Sequence, residues 1–257
     1  MINKDLLDLG LDCHRKGNLV DAEAIYLSLM QSAPDSADPP HLLAVIRAQQ
    51  GRNAEALSLI DTALRLKPDA PEMLSNYGNL LRAEGRVQEA LSAYDRALAV
   101  MPHYASVWNR RAVLLRHLGR LAEALDSVDR GLALKPGAVD ALNIRGVILA
   151  DLGRCDEALA VYDQALAVAP DFPDTLNNRA LTLKALGRLE EALASADRAL
   201  SQQESFAEAW NTRGIILFEL KRGGEAVAAY DRALAVAPDY AEALDNRALA
   251  AAGLKLN

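Results

Sequence analysis

The chain has 257 residues, 51% of them hydrophobic and 25% charged, and its formal net charge at pH 7 is −7. This composition can bury a large core, and the sequence has no run of about 18 uncharged apolar residues that would predict a membrane-spanning helix. The arginines are dispersed along an acidic chain and form no basic stripe, which makes nucleic acid a poor partner.

Prolines recur at a constant interval of 34 residues, and Glu204 occupies the one place in the series where a proline is missing. The prolines of the series are Pro34, Pro68, Pro102, Pro136, Pro170 and Pro238. With each proline at position 32, the repeat units are 3–36, 37–70, 71–104, 105–138, 139–172, 173–206 and 207–240, followed by a capping helix at 241–254. A period of this length predicts a repeat array and not a globular enzyme.

Each unit predicts two helices, here called helix A and helix B, because apolar residues recur at spacings of three and four between breaks of Gly or Pro. In unit 5 these helices are predicted over about 139–152 and about 155–168. Position 15, at the turn between them, is glycine except in unit 7, and a helix end favours a left-handed residue there. Lys221 interrupts this column, so we expect a looser turn and a less firm start of helix B in unit 7. Acidic residues at position 19 lie in the first turn of helix B, where the helix dipole favours them.

Further columns complete the pattern: alanine at position 20, Gly or Ala at position 8, mostly Leu or Trp at position 4, and often Tyr at position 24. Column by column, this pattern resembles the tetratricopeptide repeat over about residues 3–254. Unit 2 departs from it, because Pro40 takes the large apolar position and Arg47 replaces the usual leucine at position 11.

The resemblance implies an all-α fold, an α-solenoid of about 7.5 repeats in a right-handed superhelix that forms a single array over residues 1–257. The resemblance also implies an array of bacterial type, similar to those of O-linked N-acetylglucosamine transferases but without a catalytic domain. We expect Lys255 to Asn257, which follow the array, to be too short for a nucleotide-sugar site.

In this family helix A lines the inner, concave wall, which implies that positions 5, 9 and 12 face a groove. Amides at position 5 can pair with a peptide backbone, and apolar side chains at position 9 would lie beside them. The predicted groove residues are Asn109, Asn143, Asn177, Asn211 and Asp245 at position 5, Val113, Val147, Leu181 and Ile215 at position 9, and Arg82, Arg116 and Lys184 at position 12. The alternative is that the asparagines cap or bridge neighbouring A helices.

Position 7 is arginine in successive units, although the family places a core leucine there. An aspartate at position 25 lies in the helix B that precedes each of these arginines. We therefore predict a ladder of ion pairs between units. The predicted pairs are Asp95 with Arg111, Asp129 with Arg145, Asp163 with Arg179, Asp197 with Arg213, and Asp231 with Arg247.

Other chemistry finds no support in the sequence. Cys13 and Cys155 lie in units four apart, so neither a disulfide nor a metal pair is expected, and the histidines show no ligand spacing. No glycine-rich phosphate loop or nucleophile constellation is present, so we expect no catalytic residues, no metal and no cofactor. Leu7 and Leu11 stand where the chaperone-binding members of the family carry a lysine and an asparagine, so that specificity is not expected.

The sequence therefore predicts a non-catalytic scaffold that binds an extended peptide or a helix of a partner protein in the concave groove. Two alternatives stay open: a subunit or N-terminal region that presents substrates to a glycosyltransferase or sulfotransferase, and a self-assembling scaffold or homo-oligomer. The start of the chain does not read as a signal peptide, so a cytoplasmic location is expected.

The junction between units 6 and 7, Ser201 to Phe206, lacks the proline and carries a polar run. We predict that it is the weak point of the array and acts as a hinge.

Overall fold

The computed structural model describes residues 3–254, and Met1, Ile2 and the predicted terminal segment Lys255 to Asn257 lie outside that range. Within residues 3–254 the chain forms α-helices only, joined by short turns. The helices are α1 (Lys4–Arg15), α2 (Leu19–Ser32), α3 (Asp38–Gln49), α4 (Asn53–Leu66), α5 (Pro71–Ala83), α6 (Val87–Val100), α7 (Ala105–His117), α8 (Leu121–Leu134), α9 (Val139–Asp151), α10 (Cys155–Val168), α11 (Pro173–Ala185), α12 (Leu189–Gln202), α13 (Ala207–Glu219), α14 (Gly223–Val236) and α15 (Ala241–Leu254). The odd-numbered helices are the predicted A helices and the even-numbered ones the predicted B helices.

The helices pack as two compact units, Met1–Leu118 and Gly119–Asn257. In the first, α1 pairs with α2, α3 with α4, and α5 with α6. In the second, α9 pairs with α10, α11 with α12, and α13 with α14. Each B helix inside a compact unit also packs on the next A helix, as α10 does on α11. The predicted all-α fold of helix pairs is confirmed, whereas the handedness and continuity of the whole array stay predictions.

The turn from helix A to helix B requires a left-handed residue at position 15. The glycines there have positive φ angles, for example 78° at Gly17 and 74° at Gly153. Lys221 takes the same conformation with a φ of 63°. Helix α14 nevertheless begins at position 17 like every other helix B, and the looser turn and less firm helix start expected in unit 7 stay a prediction. Arg222 N donates to Leu217 O at 2.9 Å, so the backbone bond that closes this turn keeps its geometry without glycine.

Small residues let the two helices of a unit approach closely. The alanine at position 20 of helix B is fully buried in every unit, as at Ala90 and Ala158. In units 1, 3, 5 and 7 a tyrosine at position 24 packs on a glycine at position 8. A Cβ atom added to Gly78 would lie 2.5 Å from Tyr94 Cε1, so the ring occupies the space of a side chain. Burial also raises the pKa of Tyr230 to about 12, which keeps its hydroxyl protonated.

The junction predicted to act as a hinge is as short as its neighbour. Residues 203–206 separate α12 from α13, and residues 169–172 separate α10 from α11 in the same way. Trp210 Nε1 donates to Glu204 O at 2.8 Å, and Arg232 pairs with the Glu204 carboxylate while its guanidinium lies 5.3 Å from the centre of the Trp210 ring. The Trp210 bond has a counterpart at a junction that keeps its proline, where Trp108 Nε1 donates to Pro102 O at 2.8 Å, and a hinge between units 6 and 7 stays a prediction.

Candidate functional site on the A-helix surface

The A helices lie side by side within each compact unit, and their exposed faces are called the A-helix surface below. In the second compact unit α9 contacts α11, α11 contacts α13, and α13 contacts α15. In the first, α3 contacts α5. Side chains at positions 9 and 12 are one helical turn apart and share a face of their helix. The A-helix surface is therefore defined mainly by these two columns.

Exposed apolar side chains cross this surface in the second compact unit. Leu181 is 38% exposed, Phe218 is 40% exposed and Leu249 is 66% exposed, while Val147 and Ile215 are partly buried. These five residues are called the apolar strip. Val147, Leu181 and Ile215 were predicted from position 9. The sequence did not predict Phe218 and Leu249, because Phe218 interrupts the charged residues of position 12 and Leu249 lies in the capping helix after the last complete unit.

The amides at position 5 lie against neighbouring A helices. Asn178 Nδ2 donates to Asn143 Oδ1 at 3.0 Å, and Asn246 Nδ2 donates to Asn211 Oδ1 at 3.0 Å. Each bond joins an asparagine at position 5 to a residue at position 6 of the next unit. Asn211 is only 2% exposed, which counts against its predicted contact with a peptide. The geometry of these amides favours the alternative in which they bridge neighbouring A helices.

Two further asparagines at this position have an unsatisfied oxygen. The Oδ1 atoms of Asn109 and Asn177 are buried, and the described residues supply no hydrogen-bond donor to either. In the second compact unit, Thr212 takes the position-6 place after Asn177 and is itself 3% exposed. The amide bridge is therefore absent between α11 and α13, among the residues described. Asp245, the acidic end of the predicted column, is exposed.

Charged residues occupy position 12 on A helices of both compact units. Lys184 Nζ lies 3.4 Å from Glu219 Oε1, so this predicted rim residue is joined to the next A helix. In the first compact unit Arg82 is exposed, whereas Arg116 and Val113 are partly buried. Lys184 and Glu219 thus place charges on the same two helices as the uncharged Leu181, Ile215 and Phe218.

The first compact unit also carries polar contacts between A helices. His41 accepts a hydrogen bond from Asn76 Nδ2 at its Nε2 atom at 2.9 Å, which requires the neutral ring with its proton on Nδ1. Arg110 Nη1 donates to Ser75 Oγ at 2.8 Å. Burial lowers the pKa of His41, and the carboxylates of nearby Asp38 and Glu72 oppose that shift. The neutral form that the hydrogen bond needs is thus favoured by the site.

Arginine and aspartate side chains of position 7 and position 25 meet between units, in the pairs that the sequence predicts. The Arg Nε to Asp Oδ1 distance is 2.7 Å for Arg111 with Asp95 and 2.7 Å for Arg145 with Asp129. The remaining pairs are Arg179 with Asp163 at 2.9 Å, Arg213 with Asp197 at 2.6 Å, and Arg247 with Asp231. The aspartates are about half exposed, so the pairs lie at the edge of the helix interface and not in its core.

A second set of ion pairs was not predicted. Arginine at position 16 forms two hydrogen bonds with the glutamate at position 19 in units 2 to 7, for example Arg154 with Glu157 at 2.7 Å for both bonds. These bonds lower the pKa of Glu157 and of its counterparts Glu89, Glu191 and Glu225. The acidic column therefore has a partner in addition to the helix dipole. The recurrent Gly-Arg-x-x-Glu pattern was the available signal.

Arg47, the residue that interrupts the core column of unit 2, is 7% exposed and fully paired. Its Nη1 donates to Glu23 Oε2 at 2.6 Å and to Gln50 Oε1 at 3.0 Å, and its Nε lies 3.3 Å from Glu55 Oε2. The bond from Arg47 lowers the pKa of Glu23. Unit 2 thus replaces a core leucine by an ion pair between helices.

Other kinds of site are not found among the described residues. No group of three or more His, Cys, Asp or Glu in residues 3–254 could hold a metal ion. Cys13 and Cys155 are free thiols. None of the helices described is both long enough and apolar enough to cross a membrane.

Family models match most of the chain. A model described as "Tetratricopeptide repeat" matches residues 41–100, 78–139 and 177–241, and one described as "TPR repeat" matches residues 146–187. No curated protein sequence gives a significant match.

Several solved structures resemble this one. A tetratricopeptide repeat protein from Parabacteroides merdae aligns with a TM-score of 0.79 and 21% identity, over 96% of this chain and 98% of that one. PilW, described as a widely conserved type IV pilus biogenesis factor, aligns with a TM-score of 0.74 and 22% identity, over 81% and 97%. YrrB, described as a tetratricopeptide protein with an unusual peptide-binding site, aligns with a TM-score of 0.60 and 23% identity, over 72% and 95%. Identities this low show the shared fold alone.

Proposed function

Because the chain belongs to the tetratricopeptide repeat family, we propose that it is a non-catalytic scaffold that binds an extended segment or a helix of a partner protein on its A-helix surface. The observation that carries this proposal is the apolar strip of Val147, Leu181, Ile215, Phe218 and Leu249. Apolar side chains that stay exposed on adjacent, packed helices are a feature of protein interaction sites.

The surroundings of the strip support binding of a chain segment. Amide bridges join α9 to α11, through Asn143 and Asn178, and α13 to α15, while the contact between α11 and α13 is an ion pair. Contacts of this kind would hold the surface in one geometry before a partner arrives. A preorganised surface lowers the entropy cost of capture. The Lys184–Glu219 pair beside the strip offers charges of both signs that would orient the bound segment.

The affinity expected for such a contact is in the micromolar range, about −8 kcal/mol. A large partner surface would not be needed to reach this value, since a few buried anchors carry most of the binding energy of an interface.

The proposal is tested with peptides selected from a random displayed library against the full-length chain. Dissociation constants are then measured by fluorescence anisotropy for the wild type and for the double variant Leu181→Lys, Leu249→Lys. The control is Val168→Lys on helix α10, because Val168 is 57% exposed but lies on a B helix. We expect the double variant to weaken binding at least about tenfold, since a lysine in an apolar contact must lose part of its hydration, and the control to leave binding unchanged.

The proposal fails if no peptide is selected by the wild type. It also fails if the control weakens binding as much as the double variant does.

A further inference from the structure

The tyrosine–glycine pair of the odd-numbered units is absent from the even-numbered ones. Units 1, 3, 5 and 7 combine glycine at position 8 with tyrosine at position 24, whereas units 2, 4 and 6 combine alanine with a smaller apolar residue. The smaller residues are Ile60, Val128 and Ala196. The units therefore alternate, with a true period of two repeats.

Units 2 and 3 show how the residue at position 24 affects the space between helix B and the A-helix surface. In unit 3 the Tyr94 ring passes Gly78, and its hydroxyl donates to Asn79 Oδ1, at position 9, at 2.8 Å. In unit 2 Ile60 takes the place of the tyrosine. An open pocket of about 260 Å³ lies there, lined by residues of α3, α4 and α5 that include Ala44, Ile60 and Leu80.

The size of the pocket restricts its occupant. A buried apolar cavity of about 150 Å³ is enough to hold benzene, so 260 Å³ accommodates a large side chain. The sites that enclose whole small-molecule ligands are larger, about 300–1,000 Å³. A single bulky side chain of a polymer therefore fits the pocket better than a free metabolite does.

The lining residues of the pocket further restrict the kind of side chain that it can hold. The lining residues include alanines, Val45 and Leu80, with amides at the rim and no charged side chain. A charged occupant would lose its hydration without gaining a partner. The pocket thus favours an uncharged apolar group.

The rim amides have hydrogen-bonding atoms suited to a peptide backbone. Asn76 uses its Nδ2 to donate to His41, which leaves Oδ1 as its acceptor. Asn79 uses its Oδ1 to accept from Tyr94, which leaves Nδ2 as its donor. One acceptor and one donor match the N–H and C=O groups of an extended chain on either side of an anchored residue.

We propose that the pocket bounded by Ala44, Ile60, Leu80 and the amides of Asn76 and Asn79 is the anchor site for one bulky aliphatic or aromatic side chain of an extended segment of a partner protein. This inference rests on the proposed function and adds to it the residue that the partner must supply. Specificity then depends on unit 2, where Ile60 stands at the position that a tyrosine takes in unit 3.

The test fills the pocket with a tyrosine ring, in the tyrosine–glycine arrangement that the odd-numbered units already have. The double variant Ala44→Gly, Ile60→Tyr installs the pair that unit 3 already uses, so the helix pair should be retained while the ring occupies the pocket. Ile60→Tyr alone is expected to disturb the fold, because a Cβ at the equivalent Gly78 would lie 2.5 Å from the tyrosine ring. Ser58→Tyr is the matched control, since Ser58 is exposed on the same helix and does not line the pocket.

Peptides selected from a random displayed library against the full-length wild type serve as the probe, with affinity measured by fluorescence anisotropy. We expect a shared bulky apolar residue in the selected peptides, and at least tenfold weaker binding when it is replaced by alanine. The double variant should bind the original peptide at least tenfold more weakly and should no longer distinguish it from the alanine peptide. Ser58→Tyr should behave as wild type.

Other outcomes overturn the inference and separate it from the proposed function. If the double variant keeps wild-type affinity, or if the peptides tolerate alanine at every apolar position, the pocket is not the anchor although peptides bind. If the wild type selects no peptide, the proposed function fails and the anchor fails with it. If the double variant does not reach wild-type helicity, Ala48→Leu replaces it, because Ala48 lines the pocket from a partly buried position of α3. The same loss of affinity is expected, and unchanged affinity would again overturn the inference.

Discussion

Lys221 holds a left-handed backbone conformation, with a φ of 63°, that glycine holds at the same turn of the other units. For a residue with a Cβ this conformation costs roughly 1–2 kcal/mol, and glycine avoids that cost but loses more backbone entropy on folding. We expect Lys221→Gly to raise the free energy of unfolding by about 0.5–1 kcal/mol. Urea unfolding followed by circular dichroism measures the difference. Lys221→Ala keeps the Cβ and should bring no gain; equal stability of the glycine and alanine variants would contradict the explanation.

His41 makes stability depend on pH. Its pKa in the folded protein is lowered by burial, below an unfolded value of about 6.5. The unfolded chain therefore binds more protons through this histidine, so its contribution is complete above about pH 6.5 and is lost as the pH falls. Protonation would also remove the lone pair that accepts the Asn76 hydrogen bond.

The measurement compares urea unfolding at about pH 7.5 and about pH 5.5, on either side of the ordinary histidine pKa. Wild type should lose more stability on acidification than His41→Gln, which has no titrating ring at this place. The same loss in both proteins would show that other groups cause the pH dependence.

At the scale of single residues, the sequence predicted turn conformations and ion pairs at those positions where the same residue type recurs in successive units. The glycine turns and the arginine–aspartate columns are visible in the sequence, and their conformations and contacts follow from helix geometry. The sequence did not predict that Lys221 would adopt the glycine conformation, or that Arg47 would be buried with Glu23 and Glu55, because both depend on contacts outside their own column.

Between helices, the ladder of arginine–aspartate pairs is proposed to stabilise the packing of successive units. In the pair of Arg145 with Asp129, the side chains are 28% and 47% exposed. Because water reaches the pair, we expect a coupling energy of about 0.5–1 kcal/mol, below the roughly 3–5 kcal/mol lost when a buried pair is broken.

A double-mutant cycle with Arg145→Gln and Asp129→Asn, read by urea unfolding, measures that energy. The control cycle uses Arg130 and Asp126, which pair within α8 at 2.9 Å and are both more than half exposed. A coupling no larger than that of the control would show that the ladder contributes nothing specific to packing between units.

The helix boundaries of unit 5 were predicted closely, because the spacing of its apolar residues and its turn residues agree. The predicted helices of unit 5, about 139–152 and 155–168, compare with Val139–Asp151 and Cys155–Val168 in the structure. The partners of the position-5 amides were not predicted. Their identity depends on the rotation between successive A helices, which places position 6 of one helix against position 5 of the one before, and no local sequence rule sets that rotation.

For the molecule as a whole, family membership accounts for the fold. The choice of partner is proposed to depend on side chains that are particular to this chain. The apolar strip and the pocket beside Ile60 lie in different compact units, Gly119–Asn257 and Met1–Leu118, and both belong to A-helix faces. The family resemblance predicts that the binding surface lies on the A helices. The sequence did not predict the pocket, because its volume depends on how the side chains of three neighbouring helices pack in three dimensions.

The central claim is that partners bind to the A-helix faces. Hydrogen–deuterium exchange of the full-length chain, with and without a selected peptide, tests this claim directly, because bound segments slow exchange in the helices that they cover. We expect added protection in α3 and α5 for a peptide bound at the pocket, and in α11 and α13 for a peptide bound at the apolar strip, with little change in the B helices α10 and α12. Protection confined to the B helices, with the A helices unchanged, would contradict the account.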